Sequence, residues 1–299
     1  MSAEIQITSS PKTATLIGFM AVLTWGLLAY FSKLAGDIPP LQITAMAFTI
    51  GGLVGVASWP FRPGAARVLT EISPMVWVHN VAGLFGAHFL YFMAVQRAPV
   101  LEVSLIAYLW PLFIVLFAGL LPGEKLKTHH IAGAALGLAG AWFVVSKGQS
   151  FGLSQGLQAG HLIALPYAIY WAAYSVSIRR YGKIPSDVVA GFCLMTGLLS
   201  GLSHFMLETT VWPLSSTQAL AIVGLGILPL GLGFYAWDFG MKHGDPMVLG
   251  ASSYAAPLLS TVVLLLTGFA EYHWSIVAAC TLITAGAVIA AKDMIFKRS

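Results

Sequence analysis

Charge is what this sequence has least of. Asp, Glu, Lys and Arg make up 9% of its 299 residues, against about 25% in an average soluble domain. Hydrophobic residues make up 58%. A soluble globule of this length would lack the charges to solvate its surface, so the sequence predicts an integral membrane protein. Cysteine is nearly absent: Cys193 and Cys280 lie in apolar runs without spaced partners for a disulfide or a metal, and read as small packing residues. No Lys/Arg block with interleaved aromatics occurs, which excludes nucleic acid as a partner. The net charge of +4 fits basic residues held in cytoplasmic loops instead. No G-x-x-x-x-G-K-[ST] run is present, so the chain does not use ATP itself, and no cofactor is expected. The apolar run from Ala14 lacks a cleavage pattern and reads as a first membrane helix, not a signal peptide.

What the sequence does have is long apolar runs. A bilayer core of about 30 Å needs about 20 apolar residues per helix. On that measure ten spans are predicted, centred near Leu23, Ile50, Phe85, Trp110, Leu138, Ile169, Gly197, Leu230, Ala256 and Ile283. Turn signals at Pro39-Pro40, Pro60–Pro63, Pro122-Gly123, Gly148–Gly156, Pro185, Pro213 and Gly244–Pro246 separate them. No connection is long enough for a soluble domain, so function must lie within the bundle. Lys12, Arg62, Arg67, Lys125, Lys127, Arg179, Arg180, Lys183, Lys242, Lys292, Lys297 and Arg298 fall on the side of the N-terminus; only Lys33, Arg97 and Lys147 fall opposite. The positive-inside rule then makes both termini cytoplasmic, as an even number of spans requires.

A shift of 146 residues brings the sequence onto itself. Pro111-Leu112 meets Pro257-Leu258, Tyr108 meets Tyr254, Trp25 meets Trp171, and Ile38-Pro39 meets Ile184-Pro185. Lys33 meets Arg179, Gly51 and Gly55 meet Gly197 and Gly201, and Gly140-Ala141 meets Gly286-Ala287. A unit of five spans is odd, so its second copy enters the bilayer from the other face. The predicted fold is therefore an all-α membrane protein of ten transmembrane helices in two inverted five-helix repeats, with the solute site near the midplane. The predicted organisation is a tail over 1–13, repeats over 14–147 and 160–292, a linker over 148–159 and a tail over 293–299. Pro111 and Pro257 become a symmetric pair of mid-span prolines, read either as hinges of a central cavity or as tolerated kinks relieved by packing.

The stretch LIAYLWPLFIVLFAGLLPGEKLKTHHIAGAALGLAGAWFV (105–144) and its echo SSYAAPLLSTVVLLLTGFAEYHWSIVAACTLITAGAVI (252–289) each hold a helix with Tyr-x-x-Pro. Each adds an acidic turn, at Glu124 or Glu271, and a Gly-rich helix. With WGLLAYFSK (25–33) as a first helix, the chain resembles the EamA-type members of the drug/metabolite transporter superfamily over nearly its whole length. Ala270, where the first copy has Gly123, departs from the pattern. The resemblance implies export of a small solute across a bacterial inner membrane, by a chain that is not an enzyme.

Candidate solute contacts follow from helical phase. Tyr167, Tyr170, Trp171 and Tyr174 share about 100° of one face, read as a cavity wall or an interhelical seam; their hydroxyls at mid-depth need partners, which favours a polar cavity. Aromatic walls suit a planar apolar or aromatic solute, through stacking and cation–π contact with an ammonium group, and the resemblance implies that this solute is an aromatic amino acid. His79 and His88 point about 180° apart. His88 shares a face with Tyr91 and is the preferred cavity group, while His79 joins Asp238, Pro111 and Pro257 as a gating or coupling candidate. Asp238, the one carboxylate well inside an apolar span, reads as a gate or proton site or as a snorkelling anchor. Tyr108 and Trp110 point about 200° apart, so a kink decides which faces inward; Trp25 and Tyr254 complete the set. The small polar face around Tyr254 (Gly250, Ser253, Pro257, Thr261) serves close packing equally well. Glu102 and Lys33 sit at outer span ends, in capping or interface roles.

The rivals are a lipid-handling, channel-like or drug/cation carrier of the same fold, a subunit that serves assembly, and an intramembrane serine hydrolase. The last rests on GASS (250–253) and a distant His243. No HExxH occurs, and an aspartyl type would need a second membrane carboxylate. Transport is then facilitated or ion-coupled, with His88 and Asp238 as the titratable candidates. Beyond the solute and the bilayer no partner is demanded, and a monomer is expected.

Overall fold

The structure, a computed structural model, describes residues 10–146, 156–212 and 214–296. Most of the predicted tail 1–13 and linker 148–159, together with Lys147, Pro213, Lys297 and Arg298, lie outside the described residues. Among the described residues all regular structure is helical. The helices are α1 (Pro11–Trp25), α2 (Leu28–Ala35), α3 (Pro40–Ser58), α4 (Ala65–Glu71), α5 (Pro74–Val95), α6 (Val100–Ala107), α7 (Trp110–Ala118) and α8 (Thr128–Ser146). They continue as α9 (Ala159–Ser177), α10 (Val189–Leu207), α11 (Ser216–Ile227), α12 (Gly233–His243), α13 (Pro246–Ser252), α14 (Ala255–Leu266), α15 (Ser275–Ala290) and α16 (Lys292–Phe296).

Among the described residues six stretches are long and apolar enough to cross a membrane: Pro11–Ala35, Pro40–Phe61, Pro74–Val95, Ser186–Leu207, Ser216–His243 and Pro246–Leu266. Two shorter apolar helices are Glu102–Ala118 and Ser275–Ala290. The chain is a multi-pass membrane protein. Its surface agrees, with Leu16, Met20, Val78, Leu162, Met206 and Leu220 all exposed, as lipid-facing side chains are.

Several of these rods are broken, and the breaks have local causes. Proline clashes with the carbonyl four residues before it and donates no hydrogen bond. Pro111 therefore sits in the first turn of α7, where no donor is needed, and the helix before it ends at Ala107. Pro257 likewise follows the interruption between α13 and α14 at Ser253-Tyr254. Pro229 lies in a π-helical turn, Leu228–Leu232, between α11 and α12. That turn presents carbonyls to side chains: Pro229 O accepts from the Trp25 indole at 3.1 Å, and Leu230 O accepts from the Cys193 thiol at 3.8 Å. Such side-chain partners make a broken helix tolerable in lipid.

The helices pair in a definite pattern. α1 packs against α12, α5 against α9, α3 against α10, and α8 against α15. Small residues permit the closest approaches. A Cβ added at Gly18 of α1 would stand 2.9 Å from the Gly240 Cα of α12, so those two backbones touch.

Candidate functional site

The breaks put aromatic residues at the centre. Trp25 ends α1, Trp110 begins α7, and Phe234 and Trp237 lie in the first turns of α12, after the π-helical segment. Trp171 comes from the unbroken α9. Their rings converge: Trp25 lies 4.9 Å from Trp237, 5.9 Å from Phe234, and 6.2 Å from both Trp110 and Trp171, centroid to centroid. Trp110 closes the set at 6.3 Å from Trp171 and 6.0 Å from Trp237. Most of these contacts are edge-to-face, the arrangement favoured by the ring quadrupole. All four tryptophans are buried. Two of their indoles are anchored, Trp25 on Pro229 O and Trp237 on Ser175 Oγ at 3.2 Å.

A second shell of rings adjoins the tryptophans. His88 meets Phe48 at 4.9 Å and Phe234 at 5.9 Å, while Phe48 stacks on Phe234 at 5.4 Å. Its Nδ1 lies 2.8 Å from Leu84 O. Because a carbonyl can only accept, Nδ1 carries the proton and Nε2 is left as an acceptor beside the rings. Tyr91 packs on Tyr167 at 5.3 Å, with its hydroxyl 3.5 Å from Ser104. Tyr108, at the break between α6 and α7, is half-buried.

The aromatic face of α9 divides its work. Trp171 enters the tryptophan cluster and Tyr167 meets Tyr91, but Tyr170 donates to Ala82 O at 2.7 Å and Tyr174 to Asn80 Oδ1 at 3.4 Å. Those two hydroxyls find their partners on α5, so this part of the face is a seam between helices. Gly83 makes the seam possible, since a Cβ there would lie 2.1 Å from the Tyr174 ring. Gly83→Ala is expected to cost about 1–3 kcal/mol through overpacking, read as a lowered thermal midpoint in detergent.

Tyr254 is fully buried in a separate core with Val115, Ala134, Ala251, Ala279 and Ile283, away from the tryptophans. Its ring lies against Gly137 of α8. His79 bonds Ser177 Oγ at 2.7 Å. That hydroxyl gives its own proton to Tyr174 O, so His79 Nε2 donates. Sequence phase alone did not single out Trp237, Phe234 or Phe48. The repeat held a signal for two of them, since the shift of 146 places Phe234 on His88 and Trp237 on Tyr91.

Asp238 is 4% exposed, so it does not snorkel to the surface. Its Oδ2 accepts from Lys242 Nζ at 2.7 Å and from Ser186 Oγ at 2.5 Å, while Lys242 also donates to Ile184 O at 3.0 Å. A cavity of about 10 Å³ separates it from Tyr174, Phe234 and Trp237, at the limit of what one water needs. Further ion pairs tie this end, Arg62 to Asp187 at 2.5 Å, Arg179 to Glu124 at 3.0 Å and Lys127 to Asp293, and Arg179 also donates to the backbone carbonyl of Gly244 at 2.7 Å. At the opposite end Glu102, in the first turn of α6, pairs with His161 at 2.7 Å, and both are buried. The arrangement is a packed aromatic centre with a charged clasp on one side.

Residues 12–146 match the EamA-like transporter family. The aromatic amino acid exporter YddG of Ancylobacter novellus is 49% identical over 94% of this chain and 98% of its own. The protein of the same description from Salmonella typhimurium is 25% identical over 84% of this chain and 87% of its own. A crystal structure 47% identical in sequence superposes with a TM-score of 0.88, covering 97% of this chain and all of that one. With a family match over residues 12–146 and 49% identity to a relative over nearly its whole length, the chain belongs to the EamA-like transporter family.

Proposed function

We propose that the protein exports aromatic amino acids across a bacterial inner membrane by alternating access, through ten spans in two inverted repeats with both termini cytoplasmic. The observation that carries the solute class is the cluster of Trp25, Trp110, Trp171 and Trp237. Aromatic side chains bind best where ring edges and faces are on offer, and an ammonium group gains from the same surfaces. The relatives' description as aromatic amino acid exporters supports the reading.

The inverted repeat is supported by the helix pairs. A shift of 146 residues carries α1 onto α9 and α5 onto α11–α12, so the contact of α5 with α9 is that of α1 with α12 with the halves exchanged. The same shift carries α3 onto α10 and α8 onto α15, and each of these packs on its own image. Orientation is supported by basic residues: Arg62, Lys127, Arg179 and Lys242 are engaged in one set of clasps, on the side where the positive-inside rule puts the cytoplasm.

The test is efflux of labelled phenylalanine from proteoliposomes, with and without an imposed pH gradient. Efflux that needs no gradient is expected, as for a facilitator. Efflux only under a gradient would replace the facilitator by proton coupling, with His88 and Asp238 as the groups to change. No phenylalanine movement in either condition would overturn the solute assignment.

A further inference from the structure

The clasp at Arg179 has an image elsewhere in the chain that is not engaged. Arg179 belongs to the second half and grips Glu124 of the first, in the turn after α7, while its other guanidinium nitrogen donates to Gly244 O. The shift of 146 residues carries Arg179 onto Lys33, and the acidic turn at Glu124 corresponds to that at Glu271. Lys33 ends the exposed side of α2, and Glu271 follows α14. Both are exposed, and among the described residues neither takes part in an ion pair.

Yet the elements that carry them adjoin. α2 packs against α14, and the Tyr30 ring lies 6.1 Å from that of Phe269. Tyr30 is one helical turn before Lys33, and Phe269 is two residues before Glu271. A cation and an anion therefore stand on adjoining elements without an ion pair between them, while the corresponding pair Arg179–Glu124 is engaged.

In an inverted repeat the halves exchange conformations when access alternates, so a contact that closes one mouth in one state has its image closing the other mouth in the next. We propose that Lys33 and Glu271 form the ion pair that closes the second mouth, in the state in which Arg179 has released Glu124. This rests on the inverted-repeat transporter reading given above. The two clasps are not equal. The planar guanidinium of Arg179 serves a carboxylate and a carbonyl at once, whereas a lysine ammonium is a point charge without that fork. The difference favours the state seen here, with the Arg179–Glu124 clasp engaged. An ion pair at a surface is weak, so each clasp biases the equilibrium between states and does not lock it.

The test uses full-length protein in proteoliposomes, with Cys193 and Cys280 replaced by Ala and cysteines introduced at 33 and 271. A short thiol-to-thiol cross-linker reads how often that mouth is shut. Adding Glu124→Gln, which weakens the clasp in place, should raise the cross-linking yield at least threefold. Arg179→Lys, which keeps the charge and loses the fork, should give a smaller rise and provides the test if Glu124→Gln fails to fold. An unchanged or lower yield in either folded variant would overturn the proposal. In chains without introduced cysteines, Lys33→Glu and Glu271→Lys should each slow phenylalanine efflux severalfold and the pair together should restore it; two defects that add would also overturn the proposal. Cross-linking needs no solute, so a shift in yield without any phenylalanine movement would sustain the coupled closing of that mouth while refuting the assigned solute.

Discussion

Trp25→Ala is expected to lower stability by about 3 kcal/mol and to abolish phenylalanine efflux. Large-to-small changes at buried aromatics cost about 3–5 kcal/mol in soluble cores. The lower end applies here, because lipid is as apolar as the protein interior and the loss is mainly one of packing. Trp25 is the hub: its ring touches Trp110, Trp171, Phe234 and Trp237, and its indole satisfies Pro229 O in the π-helical turn. Removing it leaves a void and orphans a carbonyl in the bilayer interior, where such a group is costly. Trp25→Phe separates these two contributions. It refills most of the volume but cannot donate, so about 1 kcal/mol should remain lost and part of the efflux should return. Thermal unfolding in detergent and efflux from proteoliposomes measure the two effects. An alanine variant as stable and as active as the parent would show that the cluster is neither the packing centre nor the solute wall.

Glu208→Ala should destabilise the bundle by about 3 kcal/mol or more while leaving the tryptophan cluster intact. The Glu208 carboxylate caps α3 from a distant part of the chain, accepting from Leu41 N at 3.1 Å and Gln42 N at 3.3 Å. It also pairs with His204 Nδ1 at 2.8 Å, and the side chains of both are buried. The first N–H groups of a helix have no partner within it, and a negative charge there also meets the favourable end of the helix dipole. Each buried donor left unpaired costs about 1–3 kcal/mol, and three would be. Gln42 fastens the same joint by exchanging two bonds of 3.0 Å with the Val211 backbone. Glu208→Gln keeps an acceptor at the helix end and should recover about half the loss. If alanine and glutamine variants melt together with the parent, the cap contributes nothing.

The sequence by itself determined the solvent of this protein, its helical class and the breaks beside Pro111 and Pro257, but not those at Gly26-Leu27 and Leu228–Leu232. What it determined follows from local physics: long uncharged runs have no stable place except a bilayer, and proline disfavours a continuous helix, as at Pro111 and Pro257, although Pro166 lies within the unbroken α9. Trp25, Trp110 and Trp171 were legible as well, because rare residue types at mid-depth or at one lag are hard to explain otherwise. Tertiary structure alone decided which of the aromatics meet. Tyr170 and Tyr174 share a helical face with Trp171, yet their hydroxyls are taken up by α5, and Tyr254 lies in another core altogether. Phase on one helix says which residues share a side but not which neighbour lies there. Asp238 shows the same division. That a carboxylate lies within an apolar span is written in the sequence, whereas its burial against Lys242 and Ser186 depends on a loop from another part of the chain. A buried charge takes its meaning from its partner, and partners distant in sequence are brought together only by the fold.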